Sequence, residues 1–224
     1  MDMIALKEWN IVCRALEEGK QILLLRKGGI MEYRDGFEVK HNKFLLYPTF
    51  EHQSNESLKE KYKKEFGENI VQDKKRNEID ALNGINTLRL FARIHDVIEI
   101  SDKKVLTKLD DYHIWDDKYV LTRMDYNPNK PLSVLLLRVF KIREPLVVDI
   151  QDQWSGCKSW INIELDKLDK LNRNNSIYKN ELNTIEEMMR DDKATHKKEI
   201  IDPVLDENRF YEIVSGIKEV LPKV

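Results

Sequence analysis

The sequence predicts an α+β fold: an antiparallel, barrel-like sheet with an N-terminal helix and a helical C-terminal tail. Two observations carry this. Apolar runs of strand length recur through the first 163 residues, punctuated by Gly, Pro and Asp-Gly turn signals. From about Glu164 the apolar residues fall at helical spacing instead. The expected layout is an α+β body over 1–163, interrupted by a charged surface excursion at 54–84, and a helical tail over 164–224 packed on that body.

The elements follow in order. Leu6, Trp9, Cys13 and Leu16 recur at helical spacing with Val12 beside them, and Gly19 suits the left-handed position that ends a helix. Ile22-Leu23-Leu24-Leu25 before Arg26-Lys27 reads as a buried strand, broken at Gly28-Gly29. Tyr33 to Val39 reads as a short strand around Asp35-Gly36, and Phe44 to Tyr47 as another stopped by Pro48. In the excursion, Ser57-Leu58-Lys59-Glu60 fits a capping box opening a short charged helix. Thr87 to Ile100 alternates in part and predicts a long strand with Arg89, Arg93 and His95 on one face. Val105 to Trp115 reads as a helix, and Tyr119 to Tyr126 fits either type. Pro131 to Ile142 is the strongest strand, ended by Pro145, and Ser159 to Ile163 is the last expected strand. Leu165, Leu168 and Leu171 form one helical stripe, and Leu182, Ile185, Met188 and Met189 form another. Asp202-Pro203 opens the last helix, whose apolar face is Phe210, Ile213, Val214, Ile217 and Leu221.

Composition narrows the class. A hydrophobic share of 41% supports a folded core. A charged share of 35% exceeds the usual value of about 25% and places many charges on solvated faces. The formal charge of −2 excludes an overall basic footprint but leaves room for a local basic patch. Cys13 and Cys157 lack metal-ligand spacing, and so few thiols fit a reducing compartment. No run approaches the roughly 20 apolar residues of a membrane span, and MDMIALKEW lacks a signal-peptide layout. Cytoplasm is therefore expected, without a membrane partner.

Several segments together resemble a known family. They are Leu6-Lys7-Glu8-Trp9, Ala15 to Gln21, and Leu24 to Ile30. Phe44 to Thr49 with Glu51-His52-Gln53, His113-Ile114-Trp115 and Pro131 to Val139 continue the pattern. Gly156 to Trp160 and Pro203-Val204-Leu205 with Phe210 complete it. In these residues the chain resembles the prokaryotic family catalogued as domain of unknown function 1802. The resemblance implies that body and tail form one recurring unit, and it implies no activity.

The candidate functional residues come from local chemistry. Arg26-Lys27 before two glycines could hold a phosphate or carboxylate, although a P-loop spacing is absent and a tight turn with solvated cations is the plainer reading. Glu51-His52-Gln53 follows a strand end, where His52 suits acid–base work and Gln53 ligand contact; a structural hydrogen bond is the commoner fate. Glu38-Val39-Lys40 has the Glu-x-Lys form of a metal-dependent nuclease, with Glu32 and Glu8 as further acids. That tripeptide is common in so charged a chain. Arg93 and Arg138, on two long strands, would form a basic patch beside Trp115 and Tyr126 if the strands are neighbours, and internal pairing is the alternative. Cys157, near Trp154 and Trp160, could be a reactive thiol, and a small buried thiol is the plainer reading. Long basic-faced strands with short helices between them are similar to PUA-like nucleic-acid modules. The leading expectation is a nucleic-acid- or nucleotide-binding module with Arg26, Lys27, Gln53, Arg93 and Arg138 as contacts. The alternatives are a nuclease or hydrolase on Glu32, Glu38, Lys40 and His52, and a protein-interaction subunit using the C-terminal helices. The sequence names no metal or cofactor.

Overall fold

A computed structural model describes residues 2–27, 37–50, 53–156, 158–164, 176–190 and 201–221. Its centre is a seven-stranded mixed sheet. The strands are β1 (Asp2–Trp9), β2 (Leu23–Arg26), β3 (Lys43–Thr49), β4 (Ile85–Ile100), β5 (Leu132–Asp149), β6 (Trp160–Glu164) and β7 (Ile201–Pro203). They run in the order β2-β5-β4-β3-β1-β6, with β7 also on β5. All neighbours are antiparallel except β1 and β3. The α+β class and the largely antiparallel sheet therefore stand, and among the described residues no ladder joins the edge strands β2 and β6.

The first strand corrects an expectation. Leu6 to Trp9 belong to β1, and only Asn10–Glu17 forms helix α1. Met3 and Ala5 enter the core on one sheet face, while Leu6 enters the core on the other. Burial on both faces, between β3 and β6, overrides a pattern that also fits a helix.

The charged excursion is mostly one helix, α2 (Glu60–Leu82). Tyr62 and Phe66, one turn apart, are buried with stacked rings 5.9 Å apart, and they fasten its first half. Ser57 is not its cap: Ser54 caps a 3-10 turn at Asn55–Ser57, and Lys59 precedes α2. Val105 to Trp115 divides into α3 (Lys103–Leu106) and a 3-10 turn, while α4 (Asp117–Asp125) settles the ambiguous stretch.

β5 runs through Pro145 to Asp149. Pro145 falls where the β4–β5 register shifts between Leu88/Leu90, a bulge where a missing N–H breaks no ladder bond. From Leu132 to Phe140 every β5 residue is buried, so both faces of this strand are covered.

In the tail, α5 (Ser176–Arg190) sends Leu182, Ile185 and Met188 into one core. Asp202-Pro203 lies in β7 rather than opening a helix, because Ile201 to Pro203 pair with β5. The last helix, α6 (Glu207–Val220), starts after Asp206, whose carboxylate accepts the Arg209 N–H at 2.9 Å. Phe210, Val214 and Ile217 fill the same core as α1. The apolar stripes of α5 and α6 are thus largely buried, while the expected stripe of Leu165, Leu168 and Leu171 lies outside the described residues. The exposed apolar residues Val71, Ile79 and Leu82 lie on α2. Among the described residues no helix is long and apolar enough to cross a membrane.

Candidate functional site

The parallel pair places the C-terminal ends of β1 and β3 side by side, with Trp9 opposite Thr49. The chain turns there into α1, whose free Ile11 N–H donates to Gln53 Oε1 at 2.9 Å. Thr49 Oγ1 donates to the Glu8 carbonyl at 3.2 Å, tying the two strand ends together.

Glu8 is the polar centre of this corner. Its Oε1 accepts the Trp9 N–H at 2.8 Å, and its Oε2 accepts from Arg26 Nη1 at 3.0 Å. Arg26 ends β2, so it reaches Glu8 from the far edge of the sheet. Its Nη2 donates to Ser159 Oγ at 2.8 Å and its Nη1 also donates to the Lys7 carbonyl at 3.3 Å. The Glu8 and Arg26 side chains are only 11% and 9% exposed. Two charges so far from water need hydrogen bonds on their remaining atoms. Arg26 Nε is buried with no partner.

Aromatic rings surround the pair. The Arg26 guanidinium lies 5.0 Å from the Phe37 ring, which stacks on Trp160 at 6.0 Å. Trp9 meets Trp115 edge-on at 5.3 Å, and Trp115 stacks on Tyr119 at 4.4 Å. Burial raises the Tyr119 phenol above its ordinary value, with Arg123 opposing and nearby Glu8 reinforcing. Arg123, one turn along α4, also has a buried Nε without a partner. The corner offers unspent guanidinium donors, a carboxylate and ring faces. That combination suits a planar, acceptor-rich ligand.

The other sequence candidates distribute as follows. Lys27 is buried with its ammonium on the Lys130 carbonyl, and burial lowers its pKa. Arg93 stands opposite both Lys43 and Arg138, so the long strands are neighbours. Arg138 is buried over the Phe210 ring at 4.8 Å and donates to the Asp206 carbonyl at 3.4 Å. Trp115 is elsewhere, against Trp9 and Tyr119. Arg89, Arg93 and His95 part company because β4 shifts register at Leu88/Leu90 and Ile94/Asp96. Arg89 faces a groove beside α1 and α2, while His95 meets Phe210 and Tyr211. Gln53 is spent on α1.

Glu38 and Lys40 are exposed, 3.6 Å apart, on a segment that is not a strand. Glu32, His52, Gly28-Gly29 and Cys157 lie outside the described residues. Cys13 is buried, which pushes its thiol well up. Among the described residues no group of three or more His, Cys, Asp or Glu could hold a metal ion. Sequence reasoning did not reach Phe37, Tyr119, Arg123 or Ser159. Ser159 lies 133 positions from Arg26, and only the fold brings them together.

No curated protein matches the sequence. Among solved structures, the ASCH protein from Zymomonas mobilis is similar over 95% of this chain and 93% of its own, at 11% identity and a TM-score of 0.35. Its tyrosine-to-phenylalanine variant aligns over 95% of this chain and 96% of its own, at 10% identity and a TM-score of 0.36. Residues 5–188 match the model of the family described as Domain of unknown function (DUF1802), and the chain belongs to that family.

Proposed function

We propose that the protein is a nucleic-acid- or nucleotide-binding module that reads its ligand beside Arg26. One observation carries the reading: a buried guanidinium, oriented by Glu8 and Ser159 among aromatic rings, with its Nε unpaired. A buried donor without an acceptor is costly, and a base edge supplies acceptors while its face stacks on rings. Glu8 would accept from an exocyclic amine. In this reading Arg26 and half-exposed Arg93 are the contacts, while Lys27, Arg138 and Gln53 hold the fold. The contacts of Arg26, at the end of β2, with Lys7, Glu8 and Ser159 support an incompletely closed barrel of the PUA-like kind, with the 164–224 segment as part of the same unit.

The test is fluorescence anisotropy with a labelled single-stranded RNA over a salt series, with free nucleotides as competitors. Binding should weaken steeply with salt, because the counterions it releases gain less entropy in a saltier solution. Arg26→Lys keeps the charge but loses the planar fork, and it should weaken binding by about tenfold or more. Arg93→Gln should flatten the salt dependence. Affinity that ignores salt, or survives Arg26→Lys in a folded variant, rejects the reading.

A further inference from the structure

A groove of about 430 Å³ lies between α1, α2 and the sheet, with neither Glu8 nor Arg26 in its lining. Its size falls within the roughly 300–1,000 Å³ of small-molecule sites. Its lining mixes cations and carboxylates, and their pairing decides what it can bind.

Arg14 is spent. Its Nε and Nη2 donate to the two Asp73 oxygens at 3.1 and 2.9 Å, and Asn10 Nδ2 donates to the same carboxylate at 3.0 Å. Lys141 stands 4.0 Å from Glu17. Arg76, on α2, and Arg89, at the β4 register shift, both line the groove. Neither has an ion-pair or hydrogen-bond partner among the described residues, although Asp80 follows Arg76 by one helical turn. Asn86 and Thr87 line the groove as well, with Leu46, Phe50 and Leu90 as its apolar part. Two unpaired guanidinia in a largely polar groove match a ligand that carries a multi-oxygen anion.

We propose that this groove is a second binding site, for a phosphate-bearing small molecule whose phosphate is held by Arg76 and Arg89. The Asp73–Arg14–Asn10 cluster fixes α1 to α2 and keeps the groove open at its width. The proposal does not depend on ligand recognition at Arg26.

The experiment is calorimetric titration of the full chain with inorganic pyrophosphate at low salt, with malonate as the dicarboxylate control. Pyrophosphate should bind, malonate more weakly. Arg76→Glu, on an exposed helix face, should weaken pyrophosphate binding by at least about tenfold, the scale of one charge-assisted hydrogen bond. Arg89→Gln should do the same, and Arg26→Lys should leave it unchanged. No pyrophosphate binding to the unmodified protein, equal binding by folded Arg76→Glu, or malonate binding as tightly overturns the proposal. Loss in Arg26→Lys alone would assign the anion to the other corner and overturn it too.

Discussion

At the scale of the residue, Glu8 and Arg26 show how a buried charge is tolerated. Each offsets the other's charge far from water, and the Trp9 N–H, the Lys7 carbonyl and Ser159 Oγ satisfy most of what is left. Removing one partner strands the other. Glu8→Ala should therefore lower the unfolding free energy by roughly 3–5 kcal/mol, read from urea denaturation. The double change Glu8→Leu with Arg26→Met should recover most of that loss while abolishing ligand binding. A double variant as unstable as Glu8→Ala would show that the pair contributes through packing alone. Both residues were singled out in the sequence, Arg26 as a cation after a buried strand and Glu8 as a further acid for the Glu-x-Lys set. Their pairing was not, because β1 and β2, consecutive in the chain, are separated by β5, β4 and β3 in the sheet order. The rings were harder still. Phe37 carries no local signal, and Tyr119 sat in a segment whose periodicity fitted two structures.

At the scale of the element, α2 is the instructive case. Its residues are polar enough to read as an excursion, and its helical state rests on Tyr62 and Phe66 near the start. Gly67 then sits in the helix with open space around its Cα. A methyl there meets nothing and reduces the freedom of the unfolded chain. Gly67→Ala should stabilise the protein by about 0.5–1 kcal/mol, seen as a raised melting temperature. Gly19 is the opposite: its φ is +66° and an added Cβ would lie 2.7 Å from Leu205 Cδ2. Strand elements with unbroken apolar runs, β2, β3 and the first half of β5, were legible because burial on both faces leaves no alternation to misread. β1 and β7 were not. A short segment takes its state from the strand that receives it, and for Ile201 to Pro203 that strand is about 60 positions away.

At the scale of the whole molecule, helices cover both faces of one sheet, and the interior excludes water from several titratable groups. His113 is the clearest. Burial, aided by the nearby Lys59 ammonium, lowers its pKa from the ordinary 6.5 to about 4, and its Nδ1 has no partner. Burial also lowers His41 and His95. Because the folded pKa lies below the unfolded one, the unfolded chain binds the extra proton between these limits. The associated stability is complete above pH 6.5 and is lost as pH falls through about 4. For His113 it amounts to on the order of 3 kcal/mol. Urea-unfolding free energies from pH 7 downward should fall in that window, and His113→Gln should flatten the decline. An unchanged slope in the variant would place the sensitivity elsewhere. The sheet order also sets a timetable during synthesis. β1 leaves the ribosome well before β6, yet one of its two ladders needs that strand, with Leu6 waiting for Trp160. At roughly 5–20 residues per second, that edge stays unpaired for about ten to thirty seconds. The newborn chain spends that interval with the β6-facing edge of Met3 to Leu6 unpaired, so its yield in cells depends on what shields this edge until β6 arrives.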